Sequence, residues 1–181
     1  MNIITIFDKI FGSPKPEEQA NNEGVENLKP KFHVQLALYK GPPRYDWRNI
    51  LFHYAVRLRT LSEWSHAELV INDVCWSSSG RDGGVRGKII NLNSGRWDVL
   101  DLNLTDEQAA KALAWFKTHE GEGYDWLGVL CFILPFVKQE RKRWTCFEAI
   151  GEALEMENSH CLDANDLFDW ALEHLESDVK E

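Results

Sequence analysis

The sequence predicts an α+β fold, an antiparallel β-sheet meander packed against helices gathered in the C-terminal half. Three observations predict it. Between residues 32 and 102, apolar side chains alternate in short runs separated by turn-forming pairs. From Thr105 onward the apolar spacing becomes helical, and polar capping residues stand ahead of two of the runs. The chain has 181 residues, 44% of them hydrophobic and eight of them tryptophan, which is enough to build one real core and argues against disorder.

Each element follows from its own pattern. Ile3, Ile6, Phe7, Ile10 and Phe11 recur at helical spacing, and "GSPKPEEQANNEGVENLKP" reads as a linker, so residues 1–30 form an amphipathic helix and a flexible tether. In "FHVQLALYKG", Phe32, Val34, Leu36 and Leu38 share one face of a strand. Pro42 and Pro43 break it. Asp46 then caps a helix striped by Trp47, Ile50, Leu51, Tyr54 and Leu58. Strands 66–71 and 74–79 are joined by Asn72-Asp73, residues that tolerate the left-handed backbone a two-residue hairpin turn demands. "GRDGG" is a second turn, leading to strand 85–91, and "RWDVLDL" is a further strand. Thr105 and Gln108 are spaced as a capping box for a helix that ends near Gly121. "YDWLGVLCFILPFV" reads as an apolar helix bent or stopped near Pro135. The helix of "WTCFEAIGEAL" follows, then one capped by Asp163. Residues 177–181 are a tail.

Composition narrows the function. A net charge of −9 leaves no broad basic surface to neutralise phosphates, so nucleic acid is not an expected partner. The basic run Lys138 to Arg143 is local and reads as a solvated loop. The four cysteines at 75, 131, 146 and 161 form no C-x-x-C pair, so neither a metal nor a cofactor is expected. "MNIITIFDKIFG" lacks the basic start and cleavage pattern of a secretory signal, and no apolar run is long enough to span a bilayer. The expected location is the cytoplasm, with free thiols.

The hairpin concentrates chemistry. With a two-residue turn, position 71 faces 74 and 66 faces 79. Ala67, Leu69 and Ile71 then share a core face with Val74 and Trp76, while His66 and Glu68 share the other face with Ser77 and Ser79. A base, a carboxylate and two hydroxyls at one end of a sheet face are the parts of a proton-transfer site. Cys146 stands where a helix begins, and the partial positive charge of a helix N-terminus favours thiolate over thiol. A nearby imidazole would do so further and could carry the proton to a leaving group. The competing reading of any cysteine is a small buried hydrophobe. That reading fits Cys75 and Cys131, which lie inside apolar patterns, and passably Cys161.

The motifs "SHAELVI", "GGVR", "GYDWLG" and "WTCFEAIGEAL", in this order, resemble the circularly permuted branch of the NlpC-type papain-like superfamily. That branch includes YiiX-like bacterial and phage proteins and, more distantly, lecithin–retinol acyltransferase-like enzymes. The resemblance covers roughly residues 32–172 and implies a permuted papain-like domain over 31–176. It implies that His66 is the base and Cys146 the nucleophile. Tyr124 resembles the tyrosine of the Tyr-x-x-Gly motif beside the oxyanion site, although Gly128 comes one position late. The family's third polar residue usually starts the strand after the histidine strand. Here Val74 to Ser79 offers no His, Asn or Glu, so Glu68 is the first choice to orient His66 and Ser77 the second.

The expected activity is therefore a thiol hydrolase, of peptidase or amidase kind, acting on a peptide, amide or acyl substrate. Cys146, His66 and Glu68 would be catalytic, with Tyr124 and Ser77 in support. Two alternatives stand beside it. One is a lipid acyltransferase or lipase at a membrane surface, touching it through the apolar-then-basic stretch 126–143. The other is a non-catalytic phage or host binding protein that keeps the fold.

Overall fold

The computed structural model describes residues 32–41, 57, 61–126 and 142–175. The N-terminal helix and linker, the Trp47–Leu58 stripe apart from Arg57, residues 127–137 of the apolar helix with Cys131, residues 138–141 of the basic run, and the tail lie outside the described residues. Within them the class is α+β. Seven strands form one sheet: β1 (Val34–Tyr39), β2 (His66–Ile71), β3 (Val74–Ser79), β4 (Gly84–Lys88), β5 (Trp97–Leu102), β6 (Gly123–Tyr124) and β7 (Arg143–Trp144). Three helices accompany it: α1 (Asp106–His119), α2 (Cys146–Ala153) and α3 (Ala164–Glu173).

The alternation seen in the sequence sorts the sheet faces as expected. Val34, Leu36, Leu38, Ala67, Leu69, Ile71 and Trp76 belong to the main core, which α2 covers by packing on β2 and β3. The β2–β3 hairpin has the anticipated bounds, and the anticipated register holds over the three pairs nearest the turn, Ile71–Val74, Val70–Cys75 and Leu69–Trp76. Asn72 and Asp73 have φ of 48° and 66°, the left-handed pair that matches the twist of a tight hairpin. The opposite face carries a smaller apolar cluster of Ala37, Val70 and Cys75, with Ile90, Leu92 and Trp97 against it. The central strands are thus buried on both sides.

The strand order corrects the meander. It runs β5-β1-β2-β3-β4-β6-β7, so "RWDVLDL" does not follow β4 but crosses to the far edge beside β1. The edge of β4 is occupied instead: Val85 donates to the Glu122 carbonyl at 2.9 Å and Gly121 to the Val85 carbonyl at 2.9 Å. β4 also ends at Lys88, three residues early. Ile89 points to solvent, and a 3-10 turn, Leu92–Ser94, redirects the chain. Alternation reports which face a residue occupies, not which strand lies next door. The sheet is also mixed, because β6 and β7 run parallel. Each has two residues, too few to show a period, and the second residue of β6, Tyr124, is the first of the segment read as an apolar helix.

The helices obey their caps. Thr105 and Gln108 form the expected capping box, and Ala109, Ala112 and Phe116 make the buried stripe of α1. Asp163 caps α3, which buries Ala164, Leu167 and Ala171. In α2 seven of eight residues are buried, so it is the central helix of the layer. Gly151 lets it approach its neighbours: a Cβ there would sit 2.3 Å from the Leu162 Cδ1.

Candidate active site

Cys146 is the first residue of α2, and four hydrogen bonds fix that end of the helix. Thr145 accepts from the Glu148 amide at 3.2 Å while the Glu148 carboxylate accepts from the Thr145 amide at 3.3 Å. Two residues before the cysteine, the Trp144 carbonyl accepts from the Ser78 hydroxyl at 2.7 Å and from the Asp125 amide at 3.2 Å. These bonds tie α2 to β3 and to the β6–β7 pair. The Cys146 N–H is the first of the helix and has no carbonyl one turn earlier to receive it.

His66 opens β2, across from Tyr39 of β1, which is itself across from Trp97 of β5. The His66 side chain is 24% exposed, and the Trp97 ring lies edge-on at 6.4 Å. The His66 Nε2 is 2.8 Å from the Glu68 Oε1. An ionised carboxylate can only accept, so Nε2 carries the proton and Nδ1 remains for another partner. Cys146 is the other group that acts on the ring. Burial opposes a charge on His66. The negative charge and hydrogen bond of Cys146, followed by those of Glu68, overcome it and raise the imidazole from 6.5 to about 9.

Glu68 is 1% exposed, and burial alone pushes its carboxyl up. Its carboxyl is instead kept below the usual carboxylate range by Arg86 first and His66 second. Arg86 grips it with both terminal nitrogens, Nη1 to Oε2 and Nη2 to Oε1, each at 2.6 Å. The Arg86 Nε donates to Asp82 Oδ2 at 2.9 Å, and Lys88 donates to the same oxygen. Sequence reading missed Arg86, although it stands in the quoted "GGVR". The β3–β4 register places it opposite Ser77, on the face of Glu68. Carrying the hairpin pairing through the "GRDGG" turn would have found it.

Ser77 is corrected as an orienting partner. It is fully buried, and its hydroxyl donates to the Ala67 carbonyl at 2.7 Å, not to the imidazole. Its support is to the backbone between His66 and Glu68. Tyr124 is brought to the site. It is 7% exposed, and burial, then the charges of Cys146 and Asp125, push its phenol well above 10, so it stays an O–H donor. Trp126 packs edge-on against it at 4.9 Å, over Gly80, where a Cβ would meet the indole at 2.5 Å. Ser79, foreseen on the His66 face, is buried at the end of β3. Cys75 is buried and pushed up to about 11, mainly by burial, as befits a packing thiol. Cys161 is exposed on a 3-10 turn.

Among the described residues, no cluster of three or more His, Cys, Asp or Glu could hold a metal ion, and no helix is long and apolar enough to cross a membrane. No protein-family model matches the chain, and no curated protein is similar to it.

Proposed function

We propose that this protein is a thiol hydrolase of the permuted papain-like kind, cleaving an amide or ester through Cys146 and His66. The observation that carries the reading is the meeting of a helix-N-terminal cysteine with an imidazole whose Nε2 is bonded to a buried carboxylate. A structural histidine needs no such pair of partners, and a packing cysteine needs no helix end.

In this reading the Cys146 sulfur attacks the carbonyl carbon, and the oxyanion receives the Cys146 N–H and the Tyr124 hydroxyl. His66, protonated near neutral pH, gives its proton to the departing amine or alcohol. It then takes one from the water that hydrolyses the acyl-thioester. Glu68 keeps the ring oriented throughout. The substrate is a peptide, amide or acyl compound, and the setting is the cytoplasm.

An activated ester such as p-nitrophenyl acetate tests this. The expected result is a burst of p-nitrophenol stoichiometric with protein and an acyl adduct on Cys146 by mass spectrometry, both lost in Cys146→Ala. One observation favours a second reading, a binding module without turnover: Cys146 is only 3% exposed. Under that reading Cys146 forms no adduct, and iodoacetamide labels it no faster than Cys75 or Cys161.

A further inference from the structure

Arg86 contributes three of its N–H groups to carboxylates and touches neither His66 nor Cys146 by hydrogen bond. Its side chain is 13% exposed, so the pairing with Glu68 is shielded from water. The groups facing Glu68 come from several elements. They are His66 on its own strand, Cys75 on β3, Arg86 and Lys88 on β4 with Asp82 in the preceding turn, and Cys146 of α2 through the imidazole. Residue 37, opposite Glu68 on β1, is alanine and supplies no charge.

A proton-shuttling imidazole must pass through its neutral form. If His66 were the sole counter-ion of a buried Glu68, each deprotonation would strand an unpaired carboxylate, and the proton would be pinned between the two. A guanidinium is charged at every working pH, and its planar fork matches both oxygens. Resting on the hydrolase reading, we propose that Arg86 is a positioning residue. It holds the Glu68 carboxylate ionised and in one plane, so that Glu68 accepts from His66 Nε2 whichever charge state the ring adopts. Asp82 in turn holds Arg86 by Nε and joins it to Lys88.

The test is NMR of the full chain, following the Glu68 side-chain carboxyl carbon and the His66 ring against pH. In the wild type the Glu68 carboxyl signal stays at its ionised position between pH 5 and 9. In Arg86→Met it titrates together with His66, moved toward neutrality by more than about one pH unit, a tenfold change in the proton equilibrium. The pH profile of Cys146 alkylation by iodoacetamide moves with it. Arg86→Lys restores the charge without the fork and recovers part of the shift. If Arg86 acts through Glu68, adding Arg86→Met to Glu68→Gln leaves the His66 midpoint where Glu68→Gln alone puts it. That double variant buries no lone charge, so it decides the matter even where Arg86→Met alone does not fold. A folded Arg86→Met with an unmoved Glu68 signal, or a further His66 shift in the double variant, overturns the proposal. None of these readouts uses a substrate, so the two failures are told apart: lost turnover counts against the hydrolase reading, and an unmoved Glu68 signal counts against the role of Arg86.

Discussion

Glu68 shows how one side chain can be costly and functional at once. A carboxylate this buried tolerates its charge only because Arg86 and His66 sit on its oxygens. Glu68→Gln keeps the shape and removes the charge that helps raise the imidazole. The His66 midpoint should fall from about 9, and Cys146 should alkylate more slowly at neutral pH. Arg86 keeps Asp82 but loses its two charged bonds to Glu68, which should also cost about 2 kcal/mol. Urea unfolding measures that loss, and an NMR titration measures the midpoint. Ser77→Ala should leave the midpoint unchanged, because its hydroxyl serves the Ala67 carbonyl. His66→Ala should slow Cys146 labelling and leave Cys75 and Cys161 as they were. At this scale His66, Glu68 and Cys146 were legible, because strand alternation and a helix start are local patterns. Arg86 was not, because its place depends on the register of a second hairpin.

Among the elements, the two capping boxes offer a controlled comparison. Thr105→Ala and Thr145→Ala each remove a hydroxyl that accepts from the third helical amide, and each should cost about 1 kcal/mol. Their effects on chemistry should differ. Thr145 fixes the turn that carries Cys146, so its loss should alter the alkylation rate of that thiol. Thr105 caps α1, which bears no site residue, and its loss should leave the rate unchanged. Equal rates in both variants would mean that the cap does not position the cysteine. Elements with a long period or a cap could be read from sequence, as α1, α3 and the β2–β3 hairpin show. The two-residue strands β6 and β7 could not. Their pairing is dictated by partners far along the chain, and yet they set where α2 begins, through the Trp144 carbonyl.

Across the molecule, acid and base alternate along Cys146, His66, Glu68, Arg86, Asp82 and Lys88, spanning α2, β2, β4 and the turn before β4. This chain makes folding stability depend on pH. His66 is raised from 6.5 to about 9 in the fold, so its contribution is complete below 6.5 and is lost as pH climbs to about 9. Glu68 and Asp82 are lowered, so their contributions are complete above 4.5 and 3.8 and fade as pH falls toward their lower folded values. Maximum stability therefore lies between about pH 5 and 6.5, with an alkaline decline of at most about 1.4 kcal/mol per pH unit from one proton. Cys146 is the strongest group raising His66, so Cys146→Ser should lower the folded value and shrink the decline between pH 6.5 and 9. Urea unfolding of both proteins across that range measures it. A wild-type stability that rises from pH 7 to 9, or a decline equally steep in Cys146→Ser, would show that the thiol and the imidazole are not coupled in the folded protein.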